Sequence, residues 1–495
     1  MLRASNYNIY VDFPDDSEEM LLVHGYTGAY DKVSRRVATY VRALETVRPP
    51  KPLFGAWAPE DGDIVSPSDQ AIAVLKQRGY LTEMGREEEH LFFQKLANKL
   101  HTYQQQRGIG YIFMLTYDCN LRCSYCFQDC VRKDTSRVQL LRTMSRTLVD
   151  RIFMAMPQIE NHHHLPAHAR SPRSIGFFGG EPFLERNRRI VEYIITKAQE
   201  HGGARFSGVT NGTDLHVYRD LLSPDIIGQL QITLDGPPDE HDQRRIYADG
   251  AGSFERIAQN ITMALELGVN ISVRMNIDRN NVHLLPVLAD EIVQRDWHHA
   301  RNFSAYVSPI HASNEHTDVK TTFGSWELDQ TLNQLREQYE NMYIIGRPDD
   351  KVKHQAQTLF NHHSDPFLKP HFCGAHSGMY VLDVLGDIYA CWERTGDPNL
   401  RIGNITKDGD FAINEPMNEL WRSRNVTTNP VCSQCRFALY CGGGCAAMAE
   451  THRGKFFTNF CDGFAARFRA SVAEAYLEHT RGTNVRTSIS EGCTQ

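Results

Sequence analysis

Cysteine is the residue type in this sequence whose number and spacing point most directly to chemistry. The chain has 12 cysteines among 495 residues, and none lies between Cys130 and Cys373. In a reducing compartment, clustered cysteines are more often metal ligands than disulfide partners. The gap therefore predicts two separate metal-binding regions, one early and one late in the chain.

The early group consists of Cys119, Cys123 and Cys126, directly after a short β-rich run. Three thiolates can hold a four-iron cluster through three of its irons, which leaves the fourth iron open to a chelating ligand. S-adenosylmethionine (SAM) can fill that position with its amine and carboxylate, and an electron from the cluster can then cleave it to a 5′-deoxyadenosyl radical. The alternative is a zinc site with Cys130 as the fourth ligand.

The segment around these cysteines alternates short β-rich runs with helical stretches. This rhythm is typical of a parallel sheet built from βα units. Six units predict an α/β fold, a partial (β/α)6 TIM-like barrel with its chemistry at the carboxyl ends of the strands. The predicted strands are Tyr111–Thr116, Ser174–Phe178, Arg205–Thr210, Gln229–Leu234, Ile271–Asn276 and Phe303–Ser308.

The second predicted strand ends in Gly179, Gly180, Glu181 and Pro182. Glycine lets a backbone approach a ligand closely, and exposed carbonyls together with Glu181 can accept hydrogen bonds from an amine. A tight βα turn would account for the same residues without any ligand. The position one strand after the cysteines favours the ligand-binding interpretation.

Polar residues also occur on the next three predicted strands or directly after them. Each is either a ligand contact or an ordinary strand-end polar group, and an arginine among them can bind a carboxylate bidentately. They are Asn211 after the third strand, Thr233 and Asp235 at the fourth, and Arg274 and Asn276 on the fifth.

These motifs resemble the radical SAM superfamily. Its signature is similar to the Cys-x3-Cys-x2-Cys run with Tyr125 before the third cysteine, and its GGEP motif is similar to Phe177–Pro182. The resemblance implies a [4Fe-4S] cluster on the three cysteines, with aromatic residues near adenine and polar residues at the ribose and carboxylate. By position, the implied SAM contacts are Tyr125, Phe127, Gly179, Gly180, Glu181, Pro182, Asn211, Thr233, Asp235, Arg274 and Asn276.

The late group has seven cysteines between Cys373 and Cys461, one fewer than a pair of four-cysteine zinc ribbons would need, and Cys493 lies apart from them near the C-terminus. Their order and spacing resemble the SPASM domain of peptide- and protein-modifying radical SAM enzymes. The resemblance implies two auxiliary [4Fe-4S] clusters and thus three clusters in all. The first would use Cys373, Cys391 and Cys445, with an open iron or a ligand such as His376; the second would use Cys432, Cys435, Cys441 and Cys461.

The N-terminal segment, in the order of its strands and helices and in the run Leu75–Leu81, resembles the leader-recognition domain of peptide-modifying enzymes, a small winged-helix-like α+β unit. Physically, an edge strand beside a helix can accept a peptide as an added strand. Within this segment, Ser66 is expected to cap a helix that begins at Pro67 and stops at Gly79. The alternative is a structural cap on the barrel.

The sequence thus predicts four parts: a leader-recognition domain at 1–104, the barrel at 105–310, a helical connector at 311–372 and the SPASM domain with a final helix at 373–495. The net charge of -7 and the absence of a basic stripe argue against nucleic acid. The N-terminus lacks a secretory h-region, and no apolar run approaches the ~20 residues of a membrane span. We therefore expect a cytoplasmic protein without a membrane partner.

The resemblance implies an oxidoreductase that abstracts hydrogen from a ribosomally made precursor peptide with a leader segment and forms a C–C or C–S crosslink. It also implies an electron donor such as flavodoxin or ferredoxin. A peptide epimerase, a sulfatase-type maturase and an inactive peptide-binding scaffold are the alternatives. Sulfatase-type maturases place an aspartate base where Trp392 stands here, which leaves Asp383, Asp387 and Glu393 as candidate bases.

Overall fold

The structure is a computed structural model that describes residues 1–14, 18–45, 64–312, 317–347, 350–362 and 364–491. Cys493 lies outside these ranges. The chain divides into two compact units. The barrel unit comprises Tyr103–Pro348 and Gly374–Ser423, and the composite unit comprises Met1–Thr102, Asp349–Cys373 and Arg424–Gln495. Among the described residues, no helix combines the length and the apolar character needed to cross a membrane.

Strands and helices are numbered here in chain order. The strands are β1 Arg3–Ala4, β2 Asn8–Asp12, β3 Glu19–His24, β4 Tyr30–Ser34, β5 Leu81–Thr82, β6 Gly110–Met114, β7 Arg173–Phe178, β8 Ala204–Thr210, β9 Ile227–Thr233, β10 Asn270–Ile277, β11 Phe303–Pro309, β12 Ile345–Gly346, β13 Met379–Leu382, β14 Asp387–Tyr389, β15 Gly403–Ile405 and β16 Phe411–Ile413. The helices are α1 Arg35–Ala43, α2 Asp69–Gln77, α3 Arg86–Gln105, α4 Asp129–Lys133, α5 Arg146–His162, α6 Arg188–Glu200, α7 Pro238–Arg244, α8 Phe254–Glu266, α9 Leu285–Gln294, α10 Ser325–Gln338, α11 Asp350–His362, α12 Glu415–Ser423, α13 Ala438–Cys441, α14 Ala446–Arg453 and α15 Phe464–Glu491.

Six parallel strands, β6 to β11, lie side by side in chain order in the barrel unit. They coincide with the six predicted strands, and the α/β barrel fold is therefore confirmed. Side chains alternate across the sheet: Ile175 and Phe177 of β7 are buried, whereas Gly176 and Phe178 are half-buried on its other face. We call the space on that second face the lumen.

The sheet of the barrel unit extends beyond these six strands at both edges. β12 pairs with β11 in parallel, and β13 pairs in parallel with β6. β14, β15 and β16 then continue the sheet in antiparallel pairs. Residues after Gly374 thus form part of the same eleven-stranded sheet as the barrel strands.

The segment 311–372, predicted as a helical connector, contributes regular elements to both units. It contains α10 and β12 in the barrel unit and α11 in the composite unit. In the latter, Lys353 of α11 forms ion pairs with Glu474 and Glu478 of α15 at 2.9 and 2.7 Å. The polar composition of these helices reflects their exposed faces, because Leu328, Leu332 and Ala356 are buried.

The composite unit contains the three-stranded antiparallel sheet β2-β3-β4 and the helices α1, α2 and α3, in keeping with a winged-helix-like α+β fold. One face of the sheet packs on later parts of the chain. Ile9 and Val11 of β2 share a core with Phe437, Phe468 and Val472. The N-terminal sheet therefore depends on the C-terminal helix for burial of its apolar side chains.

Candidate active site

The early cysteines lie on a loop after β6, at the carboxyl edge of the parallel strands. The loop is held in place by backbone contacts, since Leu121 pairs with Tyr247 and Arg122 N donates to the carbonyl of Ile246 at 2.8 Å. Short parallel strands that end at one edge bring their following loops together. The cysteines thus lie beside the loops that follow β7, β8 and β9.

Their thiols are close enough to influence each other. The pKa of Cys119 is raised to about 12, chiefly by burial and then by the charges of Glu181, Cys123 and Cys126. Burial raises the pKa of Cys123 to about 11, and Arg245 opposes that rise. A bound metal displaces the protons of thiols, so the three neighbouring cysteines can act as thiolate ligands of a cluster.

Cys130, the possible fourth zinc ligand, has a different setting. Its side chain is exposed, and its sulfur contacts the carbonyl oxygen of Phe127 at 3.7 Å. The largest contributions to the pKa shifts of the other three thiols come from burial and from other residues. The donor set therefore fits a three-thiol cluster better than a four-ligand zinc site.

The glycines of the GGEP loop are required because this loop packs on the cysteine loop. Gly180 N donates to the carbonyl of Thr116 at 2.9 Å, and Glu181 N donates to that of Asp118 at 2.8 Å. A Cβ on Gly179 would lie 2.3 Å from the Thr116 oxygen, and one on Gly180 would lie 2.2 Å from the Asp118 oxygen. Any larger residue would push the two loops apart.

Glu181 bonds within the protein instead of projecting its carboxylate toward a ligand. The side chain is 1% exposed and accepts from Phe183 N at 2.9 Å, Thr210 Oγ1 at 2.6 Å and Asn211 N at 2.6 Å. Burial raises its pKa to about 7, against these hydrogen bonds. The carboxylate therefore fixes the end of β8, and a ligand amine at this loop would have to be met by its backbone.

Asn211 connects the end of β8 to the cysteine loop. Its Nδ2 donates to Asn120 Oδ1 at 2.8 Å and lies 3.7 Å from the sulfur of Cys119. Asn120 in turn donates to Thr213 Oγ1 at 2.8 Å. This network positions the first cysteine through side chains of the neighbouring strand end.

Tyr125 and Asp235 form the centre of a second network. Tyr125 OH donates to Asp235 and accepts from Arg245 at 2.5 Å and from Asn276 Nδ2 at 3.2 Å. Asp235 is fully buried, accepts from Asn276 N at 2.9 Å and lies 3.7 Å from Arg245. The network links the cysteine loop to the ends of β9 and β10.

Arg274 lies on β10 and is half-buried. Its Nε donates to Asn276 Oδ1 at 3.0 Å, and its Nη2 donates to Ser308 Oγ at 2.9 Å. These bonds hold the guanidinium against β10 and the neighbouring strand β11. Of the other predicted contacts, Thr233 and Pro182 are buried, whereas Phe127 is half-buried on the cysteine loop.

The lumen is an open cavity of about 460 Å³. Among the described residues, every one that lines it is uncharged, including Ile112, Gly176, Val209 and Gln231. At one wall, Trp392 stacks on Phe178 with ring centroids 5.6 Å apart. Phe178 directly precedes the GGEP loop, so the cavity adjoins the predicted cofactor site.

The three candidate bases have different environments. Asp383 is fully buried and accepts from the backbone amides of Leu385 and Asp387, which stabilises the turn between β13 and β14. Asp387 pairs with Arg401 at 2.9 Å. Glu393 is solvent-accessible; desolvation by the surrounding protein raises its pKa, and the charges of Arg274 and Arg394 oppose that rise.

Four of the late cysteines come together within the composite unit. Burial and then the charges of Cys441, Cys435 and Cys461 raise the pKa of Cys432. The amide of Phe437 donates to Cys435, and Asn459 Nδ2 lies 2.8 Å from the sulfur of Cys461. Four converging thiols with amide donors to sulfur fit a fully ligated cluster.

The other three late cysteines are divided between the units. Cys373 and Cys445 belong to the composite unit, and the buried Cys391 follows β14 in the barrel unit. His376, also in the barrel unit, is fully buried, and its Nδ1 lies 2.9 Å from the carbonyl oxygen of Trp421. Their assignment to one cluster stays a prediction from the sequence.

Three residues of the site had no signal in the sequence. Arg245 is 7% exposed beside the cysteine loop, Asn120 lies between two of the cysteines, and Asn281 donates to the carbonyls of Asp235 and Asn276 at 2.7 and 3.0 Å. Arg245 and Asn281 lie outside the motifs, and Asn120 occupies a variable position of the cysteine run. Only the packing of non-adjacent segments reveals their roles.

Comparison with known proteins agrees with this geometry. The profile of the radical SAM superfamily matches residues 113–283. The mycofactocin maturase MftC of Mycobacterium tuberculosis (strain ATCC 25618 / H37Rv) is 29% identical over 356 residues, which are 70% of this chain and 78% of that protein. The cysteine-type anaerobic sulfatase-maturating enzyme of Clostridium novyi (strain NT) is 22% identical over 393 residues, with coverages of 73% and 96%.

Among solved structures, anSMEcpe with bound AdoMet superposes with a TM-score of 0.56 at 15% sequence identity. The match covers 76% of this chain and 95% of that one. At this identity, the likeness shows a shared fold. Together with the superfamily match over the cysteine loop and the strand-end loops, it shows that this chain is an enzyme built on a radical SAM domain.

Proposed function

We propose that the enzyme is a peptide maturase that removes hydrogen from a ribosomally made precursor and closes an intrapeptide C–C or C–S crosslink. The observation that best supports this is the convergence of three thiols with the loops after β7, β8 and β9 beside an open lumen. Cys119, Cys123 and Cys126 would hold the cluster that cleaves SAM, which supplies the radical that abstracts the hydrogen.

The names of the related proteins support a peptide as the substrate. One relative is a maturase and another matures a sulfatase. A solved structure of similar fold, with a TM-score of 0.54, holds AdoMet together with a peptide. The lumen of this chain is large enough for an amino-acid side chain and adjoins the predicted cofactor site at Phe178.

The lining of the lumen favours an uncharged target residue. Moving a charged side chain into a cavity without a partner charge carries a large desolvation cost. Trp392 and Phe178 provide an aromatic wall, and Gln231, which accepts from Tyr306 OH at 2.8 Å, adds a polar group to the lining. An aromatic or aliphatic residue of the precursor fits this mixture.

Glu393 is our choice of base for the proton that leaves during crosslink formation. Asp383 and Asp387 are engaged in the β-turn and the ion pair described above, whereas Glu393 follows Trp392 and interacts with Arg274. A carboxylate with a raised pKa beside a substrate cavity suits general base chemistry near neutral pH.

The auxiliary clusters would handle the remaining electron. Closing a bond between two positions of the peptide removes two hydrogens: one as an atom, and one as a proton and an electron. A cluster takes one electron at a time and so can accept the second. A small donor protein such as flavodoxin or ferredoxin would supply the electron for each SAM cleavage.

The leader segment of the precursor would bind the N-terminal sheet. Within the described residues, β4 pairs only with β3, so its other edge is open to an added strand. Tyr30, Lys32 and Ser34 present their amides to that edge, because the alternate residues face β3. Arg35 N, for example, donates to the carbonyl of Glu18 at 2.8 Å.

A sulfatase-type maturase is the main competing function, in view of the relative from Clostridium novyi. Trp392 occupies the position at which such enzymes are expected to have an aspartate base. An epimerase would need a hydrogen-donating thiol. The candidate for that role among the described residues is the exposed Cys130, which is not part of the three-thiol site.

The test is co-expression with a short open reading frame found beside the gene, followed by mass spectrometry of its product. We expect a loss of ~2 Da for each bond formed, since two hydrogens leave. The Cys123→Ala enzyme is the control and should leave the peptide unchanged. A product of unchanged mass with D-residues would instead establish an epimerase.

A further inference from the structure

Arg424 is a buried arginine of the composite unit, just before the late cysteines. Its side chain is 2% exposed. All three guanidinium nitrogens donate to backbone carbonyls: Nε to Phe456 at 3.0 Å, Nη1 to Gly444 at 3.1 Å and Nη2 to Thr458 at 2.9 Å. The charge is therefore fixed in position, unlike that of a surface arginine.

These carbonyls belong to the two loops that present cysteines to the second predicted auxiliary cluster. Gly444 lies between Cys441 and Cys445, and Phe456 and Thr458 lead to Cys461. The loops touch: a Cβ on Gly444 would lie 1.9 Å from the carbonyl oxygen of Phe460. Arg424 thus fixes the junction at which ligands from distant parts of the sequence meet.

The guanidinium also lies among thiols. Burial lowers the pKa of Arg424, and the charges of Cys432, Cys445, Cys373 and Cys441 oppose that effect. Arginine keeps its proton in proteins, so the cation persists. In the low dielectric of the interior, it acts strongly on any charge placed beside these cysteines.

A four-iron cluster on four thiolates is anionic and gains a further negative charge when it is reduced. Its potential depends on the net charge, on hydrogen bonds to sulfur and on exposure. We propose that Arg424 is a positioning residue that raises the reduction potential of the cluster on Cys432, Cys435, Cys441 and Cys461. This rests on the proposed function, because it requires that the cluster be present.

The raised potential has a defined use in that function. The electron released when the crosslink closes passes to a cluster as one unit of negative charge, and the cluster must later pass it on. A fixed cation beside the cluster stabilises the reduced state during this interval. The gain is independent of the peptide, so it is measurable without substrate.

The experiment is an EPR-monitored redox titration of the anaerobically reconstituted full chain. Arg424→Gln removes the charge, and Arg424→Lys keeps it. We expect Arg424→Gln to retain its iron and to lower one cluster midpoint, with an about tenfold smaller reduced-to-oxidised ratio at fixed potential, equivalent to ~59 mV for one electron. Arg424→Lys should stay closer to the wild type.

Arg469→Gln is the matched control. Arg469 is also an arginine of the composite unit held by a backbone carbonyl, that of Tyr10 at 3.0 Å, but the charges that act on it come from Arg436, Asp12 and Arg42. Its replacement should leave every cluster midpoint unchanged. An equal shift in this control would show that loss of any interior cation suffices, and the proposal would be wrong.

Other outcomes separate the possibilities. If Arg424→Gln retains its iron and all midpoints are unchanged, Arg424 does not set the potential. If Arg424→Gln cannot hold the cluster, the test falls to Arg424→Lys. A near-native midpoint in Arg424→Lys supports the proposal, and a tenfold change in its reduced-to-oxidised ratio contradicts the proposal. If Cys432→Ala loses no iron, the second auxiliary cluster itself is absent, and this part of the proposed function fails.

Discussion

Glu181 and Asp235 are two buried carboxylates of the site, and groups of the protein itself bind both of them. Glu181 joins the GGEP loop to the end of β8 through three donors. Asp235 joins the cysteine loop to β10 through Tyr125 and the amide of Asn276. Their main effect is therefore to align strand-end loops around the predicted cofactor.

Replacement of Glu181 by glutamine tests this alignment. The carboxylate of Glu181 accepts three hydrogen bonds, and the NH2 group of glutamine cannot accept any. At least one buried hydrogen bond is therefore lost, which lowers the free energy of unfolding by ~1–3 kcal/mol. We expect a lower thermal midpoint and slower SAM cleavage. Glu185→Gln, at an exposed position after the same loop, is the control. Unchanged cleavage by Glu181→Gln would show that the network is dispensable.

Asp383 gives the protein a defined pH dependence. Burial raises its pKa from 3.8 to about 7, and the nearby Asp387 adds to the rise. The pKa of Asp383 is higher in the folded protein than in the unfolded chain. The contribution of its protonated form to the free energy of unfolding is therefore fully present below about pH 4 and is lost as the pH rises toward 7. Asp383→Asn keeps an oxygen acceptor but cannot ionise.

The stability of the wild type relative to Asp383→Asn should therefore fall by up to ~4 kcal/mol between pH 4 and pH 8. Thermal midpoints of both proteins across this range provide the measurement. Parallel pH profiles would mean that Asp383 ionises normally in the folded protein.

Trp392 is predicted to act on the substrate and not on the cofactor. Trp392→Ala removes the stacking surface on Phe178, so peptide modification should fall at least tenfold while SAM cleavage without peptide continues. Trp392→Phe retains an aromatic face and should retain most of the activity. A parallel loss of both reactions in Trp392→Ala would instead place the side chain at the cofactor.

Among single residues, the sequence predicted those site residues that belong to recognisable motifs. The cysteines, the GGEP loop and the polar strand ends do meet at one edge of the sheet. Arg245 could not be predicted, because it reaches the site through the fold and not through a pattern. The internal engagement of Glu181 was also missed, since a motif names a residue without showing its hydrogen-bond partners.

At the scale of elements, local signals located most of the core strands and helices. Helix α6 is one of the helical stretches expected between the strands, and its apolar residues recur at helical spacing. The start of α2 was predicted wrongly: Ser68, not Ser66, is its N-cap and accepts from Ala71 N at 3.3 Å. Two nearby serines both satisfy the capping rule, and local sequence does not choose between them.

The short strands β13 to β16 were beyond local prediction. Each has three or four residues, and β13 pairs with β6, which is more than 250 residues earlier in the chain. Such pairings are decided by packing of the whole sheet and leave no periodic signal in so few residues.

The open edge of β4 provides the prediction at this scale. Lys32→Pro removes an outward-facing amide without breaking a bond to β3, so the sheet should fold while leader binding is lost. Lys32→Ala keeps the amide and should bind normally. Binding of the precursor leader to each full-length variant can be measured by fluorescence anisotropy. Equal affinities would show that the leader does not add to this edge.

At the scale of the whole molecule, three separated stretches of chain build the composite unit. The sheet strand β2 and helix α15 share one core, so removal of residues 1–104 would expose Phe468 and Val472. A deletion would therefore disturb the late cysteines as well as the leader site. Point variants such as Lys32→Pro are consequently the cleaner test of leader binding.

SAM cleavage by the anaerobically reconstituted full chain with a chemical reductant shows whether Cys119, Cys123 and Cys126 hold a radical-generating cluster. We predict formation of 5′-deoxyadenosine by the wild type and by Cys130→Ala. Cys123→Ala should form none and should lose about four iron atoms. A wild-type protein that contains zinc with almost no iron, and that leaves SAM intact, would show that these cysteines form a zinc site instead.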